Sequence, residues 1–251
     1  MEKVKPLSVL VTGGTRGIGR AISLKMAEEG YDIIAVYRNK DLKIKELSSK
    51  INGMGRTCTL YKTDLTNESE RLKLIDELRN SNVQLKALVN NAGLGRSETL
   101  DSVDIESWDK VIRLNETVPL LMARDLHNLI KDGGSIINIG SLRGVIPSTD
   151  LLSYQASKAS LIQITRALAK TLAPKIRVNS IVCGWIRTDM TKGLHTDDNM
   201  MKLIESWTPM ERWGEPEDVS EMASFLISNK ASFITGQGFV LDGGVSLLKN
   251  I

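Results

Sequence analysis

The chain has 251 residues, 41% of them hydrophobic and 25% charged, and a formal net charge of +3. This is ordinary globular composition, long enough for a sizeable core, and the charge is too small to imply nucleic acid or a membrane surface by itself. No apolar run approaches the ~20 residues needed to span a bilayer.

Val9, Leu10 and Val11 form a short apolar run, the mark of a buried strand. Residues 12–19 are a glycine-rich turn, after which Ile18, Ala21, Ile22 and Met26 recur at helical spacing. Strand, turn and helix together make a phosphate cradle. Gly13 permits a tight turn, Gly17 lets a diphosphate approach the backbone, and Gly19 lets the helix pack closely on the sheet. The helix N-terminus then faces the anion with free N–H groups and a partial positive charge. The spacing, Gly13-x3-Gly17-x-Gly19, is not the common G-x-G-x-x-G fingerprint, and taken alone the segment also reads as an ordinary strand–helix turn.

Gly30 closes the first helix. Residues 33–36 read as a second strand with YRNKD as its loop, and 42–51 as a polar helix with Leu42, Ile44, Leu47 and Ile51 facing inward. A third strand at 57–61 leads to Asp64-Leu65-Thr66, and a helix at 68–79 puts Leu72, Ile75 and Leu78 on one face. Residues 87–89 form a fourth strand running into Asn90-Asn91-Ala92-Gly93. Residues 105–130 are expected to be one long helical stretch, bent near Pro119. A strand at 135–139, a helix at 153–172 stopped by Pro174, and a strand at 176–182 follow. Residues 188–209 read as irregular and methionine-rich. A helix at 216–228 starts near Pro216, and 239–241 is a last short strand.

Alternation of strand and helix throughout predicts an α/β fold: one doubly wound parallel sheet with helices on both faces, in a single domain over residues 1–251. Ligands in such sheets bind at the carboxyl ends of the strands. The Gly13 turn, Asp64, Asn90 and Ser141 all follow strands, so they are expected to gather on that edge.

Cys58 and Cys183 form no C-x-x-C and fit reduced thiols in a reducing compartment. His127 and His195 supply no ligand cluster. His195 with Asp197 and Asp198 reads as a solvated segment, and no metal is expected. The opening residues, MEKVKPL, lack an apolar signal-peptide core. A soluble cytoplasmic protein is expected, binding neither nucleic acid nor membrane.

Thr12-Gly-x3-Gly17-x-Gly19, Asn90-Asn-Ala-Gly93, Asn115, Ser141, Tyr154-x3-Lys158 and Asn179 occur in this order. Together they resemble the short-chain dehydrogenase/reductase family, over residues 9–244. TGGTRGIGRA, YQASKA and IRTDMT are most similar to the NADPH-dependent 3-oxoacyl-[acyl-carrier-protein] reductases of fatty acid biosynthesis. Sugar, polyol and steroid dehydrogenases share much of this wording. The resemblance implies a Rossmann-like fold and NADPH-dependent reduction of a carbonyl, with Asn115, Ser141, Tyr154 and Lys158 as the catalytic set. It implies NADPH/NADP contacts from Gly13, Thr15, Arg16, Gly17, Ile18 and Gly19 in the turn, and from Arg38, Asp64 and Leu65 beyond the second and third strands. Asn91, Ala92, Gly93, Tyr154, Lys158, Gly184, Ile186 and Thr188 complete that set. Two places depart from the family pattern. Cys183-Gly184 replaces Pro-Gly, which frees a φ angle and is expected to loosen the backbone there. Asn115-Glu116-Thr117-Val118 replaces Asn-Leu-x-Gly.

The residues allow this chemistry. An unperturbed phenol titrates near 10. Lys158, four residues after Tyr154 on the same helix face, is expected to favour the phenolate and lower that value, and the helix N-terminus pushes the same way. The competing reading makes Tyr154 a half-buried aromatic and Lys158 a surface charge, and Ser141 after a strand argues against it. Ser141 would hydrogen-bond the substrate oxygen. By resemblance Asn115 holds a water that relays protons to Lys158; it also reads as a polar break in a helix. Asp64 reads as an adenine acceptor or as a helix cap near Asn67, and Thr188 as a cofactor contact or a Thr-Asp cap. A non-catalytic nucleotide sensor is the alternative class, and the presence of both Tyr154 and Lys158 speaks against it.

An NAD enzyme places an acid at the end of the second strand. Here Tyr37 holds that place, Arg38 follows, and Arg16 lies in the turn, so two guanidiniums are available to a 2′-phosphate. Residues 188–210 fall where the family carries a substrate lid. Met190, Leu194, Met200, Met201, Leu203, Ile204, Trp207 and Met210 make it apolar, which suits an acyl chain better than a sugar. A 3-oxoacyl thioester is the first expectation and a small apolar ketone the alternative. For a carrier-bound substrate, Lys131, Arg143, Lys170, Lys175 and Arg187 are the candidate docking cations. Leu120, Leu121, Ala159, Ile162 and Ala167 are left over on the helices at 105–130 and 153–172, so a homodimer or homotetramer is expected.

Overall fold

The computed structural model describes residues 6–39 and 42–247, the Leu42 side chain excepted, so the expectations for residues 1–5, Lys40, Asp41 and the inward face of Leu42 lie outside the described residues. The strands are β1 (Ser8–Thr12), β2 (Asp32–Tyr37), β3 (Cys58–Lys62), β4 (Leu85–Asn90), β5 (Ile130–Ser141), β6 (Ile176–Cys183) and β7 (Gly238–Leu241). They form one seven-stranded sheet in the order β3-β2-β1-β4-β5-β6-β7, and every pairing is parallel. The doubly wound α/β architecture is therefore as expected.

Alternation along each strand supplies both faces with core. Val9, Val11, Ile33, Ala35, Ala87, Val89, Ile137 and Ile181 point to one side. There α1 (Gly17–Glu28), α2 (Leu42–Gly53) and α9 (Pro216–Ile227) cover them with Ile22, Met26, Leu47, Ile51, Val219, Ala223 and Leu226. Leu10, Ile34, Val36, Leu88, Ile136 and Val178 point to the other. On that side lie α3 (Glu68–Asn80), α5 (Val118–Leu126) and α6 (Leu152–Leu172), through residues such as Leu74, Ile75, Met122, Leu126 and Ala169. Burial on both faces is why β1 and β2 read as continuous apolar runs, Val9–Val11 and Ile33–Val36, rather than as alternating ones. Between α3 and α5 sits a buried ion pair, Arg71 with Asp125; Arg124 adds a second contact to that carboxylate at 2.7 Å.

Residues 105–129 are helical as expected, though not uniformly: α4 (Ile105–Ile112), a π-helical turn at Arg113–Thr117, α5, and a 3₁₀ turn at His127–Leu129, with Ile130 already in β5. The π turn lies just before Pro119 and surrounds buried Asn115. One stretch differs from expectation. Residues 188–209 are mostly helical: a 3₁₀ turn at Asp189–Thr191, then α7 (Lys192–His195) and α8 (Asp198–Trp207). Asp197 caps α8 by accepting from Asn199 and Met200 N–H. No described helix is long and apolar enough to cross a membrane.

Candidate active site

A cleft of about 540 Å³ runs along the carboxyl ends of the strands. At its centre is the turn between β1 and α1. Thr12 Oγ1 accepts from the N–H groups of Asn91 (2.9 Å) and Ala92 (3.0 Å), and Asn91 Nδ2 donates to the carbonyls of Thr12 (2.9 Å) and Gly13 (3.2 Å). The ends of β1 and β4 are thereby fastened together. Gly13 and Gly17 have φ of +64° and +50°, the left-handed region that favours glycine. Gly19 does not line the cleft, contrary to its place among the expected cofactor contacts, but its packing role is as expected. A Cβ there would stand 2.2 Å from the Gly13 carbonyl and 2.5 Å from Asn91 Nδ2, so its bareness lets α1 pack closely on the ends of β1 and β4.

Gly13, Thr15, Arg16, Gly17 and Ile18 line one part of the cleft, and Tyr37, Arg38, Asp64 and Leu65 another. Arg38 is 58% exposed, with a guanidinium nitrogen 4.0 Å from Asp64 Oδ2. Asp64 accepts from the Thr66 N–H at 3.0 Å and from its hydroxyl at 2.6 Å. The cap of α3 is Asn67, which accepts from Glu70 N–H, so Asp64 is not needed for that purpose. Asn91, Ala92 and Gly93 continue the lining. Asn90 does not: it is buried below, where it donates to Asn138 at 2.9 Å. Asn179 pins the β6–β7 connection, donating to Ile234 O and accepting from Gln237 N–H.

Ser141, Tyr154 and Lys158 meet in the same cleft. Ser141 ends β5, and α6 brings in the other two from its first turns. Lys158 is buried, and its Nζ donates to the Ile139 carbonyl at 2.8 Å and lies 5.7 Å from the centre of the Tyr154 ring. Burial pulls this ammonium down to about 8. Burial also drives the Tyr154 phenol above its ordinary value, against a hydrogen bond with Ser141 that favours the phenolate. The direction is opposite to the one expected from Lys158: desolvation outweighs the Ser141 hydrogen bond. Asn115 lies beside these groups but off the cleft wall. Its Oδ1 accepts from Leu94 N–H at 2.8 Å, and its Nδ2 donates to Leu94 O (2.9 Å) and Ser157 Oγ (3.1 Å). No direct hydrogen bond joins it to Lys158. A Cβ on Gly93 would lie 3.4 Å from Asn115 Oδ1 and 3.7 Å from Lys158 Nζ, so glycine keeps the space between them open.

Gly184, Ile186 and Thr188 line the side of the cleft formed after β6. Thr188 and Thr191 form a reciprocal capping box on the 3₁₀ turn, so the capping reading holds along with the place in the cleft. Cys183 does not loosen the backbone. It is a ladder residue of β6, paired with Ser141 on one side and Leu241 on the other, and the next N–H donates to Leu241 O at 2.9 Å. Its thiol is buried and pushed up to about 12 by desolvation, with Lys158 pulling the other way. His195 stacks edge-on against Trp213. Among the cleft residues not foreseen are Asn39, Thr63, Leu94, Leu114 and the Ile139 carbonyl that receives Lys158. A backbone acceptor carries no residue-type signal, and the apolar pair reads only as core.

A family model described as Enoyl-(Acyl carrier protein) reductase matches residues 13–246. The chain belongs to the short-chain dehydrogenase/reductase family. It is an oxidoreductase of that family. A curated relative of the short-chain reductases, the 3-oxoacyl-[acyl-carrier-protein] reductase FabG of Staphylococcus aureus, is 33% identical over 241 residues, 95% of this chain and 97% of the relative. A short chain dehydrogenase from Burkholderia cenocepacia solved in complex with NADP superposes with a TM-score of 0.88 at 30% identity, covering 96% of this chain and 98% of that one. A blue fluorescent protein from a metagenomic library, solved in complex with NADPH, gives 0.89 at 27% identity over 96% and 98% of the two chains.

Proposed function

We propose that this short-chain reductase uses NADPH to reduce a carbonyl to an alcohol, with a 3-oxoacyl thioester as its first substrate. The observation that carries the reading is the meeting of Ser141, Tyr154 and Lys158 in one cleft with the glycine turn. The residues present fit a dinucleotide. The turn offers glycines at positive φ at the start of a helix, and the cleft is of ligand size. Gly13, Thr15, Gly17 and Ile18 would hold the diphosphate, Asp64 and Leu65 the adenine, and Ile186 and Thr188 the carboxamide end. Arg38, on the cleft wall, and exposed Arg16 are the groups for a 2′-phosphate. The nicotinamide supplies the hydride that the carbonyl carbon receives.

Tyr154 gives the proton to the carbonyl oxygen. Its raised pKa keeps it protonated at neutral pH, the form a reduction needs. Ser141 holds the same oxygen beside it. Lys158 orients the site from behind and returns a proton to Tyr154. The open space beside Gly93 lets a water join Asn115 Oδ1 to Lys158.

Met190, Leu94 and Leu114 on the cleft wall suit an alkyl or acyl chain, with residues 188–210 as the lid of a single catalytic domain. Carrier docking, and with it a place in fatty acid biosynthesis, would use exposed Lys131, Lys170 and Lys175. One observation favours the free apolar ketone as a second reading. Arg187 is held between Glu205 (3.4 Å) and Glu215 (3.5 Å), so its charge is already matched. Two free cysteines support a reducing, cytoplasmic setting. Leu120 stays 40% exposed on α5, and Ala159 and Ala167 are exposed on α6, which supports pairing into a dimer or tetramer.

The test compares acetoacetyl thioester, its carrier-bound form and cyclic or aryl ketones with NADPH, read by loss of nicotinamide absorbance at two salt concentrations. A carrier-bound substrate that is faster and salt-sensitive supports the first reading. Turnover of free ketones alone supports the second, and no turnover of any of them refutes both.

A further inference from the structure

The helix that carries Tyr154 has no side-chain cap from its own N-terminal flank. Leu151, the residue before α6, is left-handed at φ 63° and sets no side chain on the first turn. The neighbouring Ser153 hydroxyl is buried without a partner. Unmet backbone donors at a buried helix start are costly and leave the turn free to fray. One of them is met from far away in the sequence. Ser153 N–H donates to Glu98 Oε1 at 2.7 Å, across 55 residues.

Glu98 is only 3% exposed. Its second oxygen, Oε2, makes no hydrogen bond and faces Arg96 Nε at 3.6 Å. Arg96 is gripped in turn by Asp104 Oδ2 at 2.9 Å and by the Ser107 hydroxyl, and Asp104 is the cap of α4. The stretch between β4 and α4 thus fastens the starts of α4 and α6 together. The same stretch lines the cleft through Gly93, Leu94 and Gly95. A buried carboxylate with one oxygen held only by an ion pair, and not hydrogen-bonded, is unfavourable for packing alone. Its bond falls on the residue immediately before Tyr154.

We propose that Glu98 is a positioning residue for Tyr154: it caps α6 from outside and holds the Tyr154 hydroxyl where proton transfer requires it. The proposal rests on Tyr154 being the proton donor. Proton transfer is sensitive to such placement, since a shift of about 1 Å can cost on the order of 100-fold in rate.

The test is steady-state ketone reduction by the full chain, with NADPH affinity measured separately by fluorescence titration. Glu98→Ala is expected to lower kcat at least about tenfold while the Kd for NADPH stays within about twofold. Glu98→Gln keeps an acceptor oxygen and is expected to stay within about threefold of wild type. If Glu98→Ala does not fold, Glu98→Asp replaces it, because the shorter side chain keeps the charge but not the reach. Glu98→Ala, or its Asp substitute, keeping more than half of wild-type kcat overturns the proposal. So does Glu98→Gln as impaired as Ala, or a loss that falls on NADPH affinity instead of kcat. Tyr154→Phe is measured in parallel. If it stays active, the proton-donor reading fails and this proposal with it; if it is dead while Glu98→Ala is intact, only the cap fails.

Discussion

The Lys158 ammonium lies 5.7 Å from the centre of the Tyr154 ring and is tied down by a 2.8 Å bond to the Ile139 carbonyl. The lysine therefore acts on the phenol from a fixed position, as part of the wall. Tyr154→Phe keeps the ring and loses only the hydroxyl. It is expected to abolish reduction while NADPH still binds. More than about a tenth of wild-type kcat, a loss under ~1.4 kcal/mol, would show that another group gives the proton. Lys158→Ala is expected to damage both turnover and NADPH affinity.

Cofactor preference is expected to follow Arg38. Its guanidinium is more than half exposed on the cleft wall, and no acid stands at the end of β2. Arg38→Asp should shift the ratio of kcat/KM for NADPH over NADH toward NADH by about tenfold or more, the scale of one charge-assisted hydrogen bond. A wild-type preference for NADH would refute the assignment outright.

The Cys183 thiol sets an alkaline limit on stability. Below its unfolded value of 9.0 the thiol is protonated in both states and contributes no pH dependence. Between there and about 12 the unfolded chain releases the proton and the folded chain keeps it, so stability falls as pH rises. Lys158 works the opposite way, its contribution growing from about 8 up to 10.5. Urea unfolding of wild type and Cys183→Ala below pH 9 and near about pH 11 isolates the thiol, because the lysine is common to both proteins. The variant should lose less stability across that interval, and parallel losses would count against the argument.

Asp125→Ala leaves the Arg71 guanidinium buried without its carboxylate. Burial alone would raise the Asp125 pKa, but Arg124 and Arg71 together hold it below the usual carboxylate range. Breaking such a pair costs about 3–5 kcal/mol, whereas replacing both partners by apolar residues costs far less. Chemical denaturation should therefore rank Asp125→Ala well below Arg71→Met/Asp125→Leu. The reverse order would mean that the pair is not buried in solution.

The parts legible in the sequence are those whose cause is local. Val9–Val11 declare a strand because β1 is apolar on both faces, and Gly13 and Gly17 declare their turn because few other residues accept those φ angles. Ser141, Tyr154 and Lys158 are legible through the family resemblance that their order carries, and the fold brings them together. The rest has distant causes. The π turn at Arg113–Thr117 surrounds Asn115, whose bonds go to Leu94 and Ser157. The α8 helix is the exception, because its signal is local: Met200, Leu203, Ile204 and Trp207 recur at helical spacing behind the Asp197 cap, a pattern that the methionine-rich reading of a lid passes over. The direction of the Tyr154 shift depends on desolvation, which no spacing encodes. Glu98 is a lone acid in a polar loop until the fold sets it against Ser153.

The place of β1 in the middle of the sheet also governs the order in which the molecule can come into being. During synthesis β1, β2 and β3 emerge first and can pair, but the other edge of β1 waits for β4. Thr12 and Asn91, 79 residues apart, are the clasp on that seam and a wall of the cleft as well. Until β4 leaves the ribosome, β1 offers an unpaired apolar edge that invites wrong partners. Loop closure over such a span is slow, so the seam is expected to form late in folding. A nascent chain truncated before β4 should therefore aggregate readily and fail to bind the dinucleotide, since closing the sheet and completing the cradle are one event.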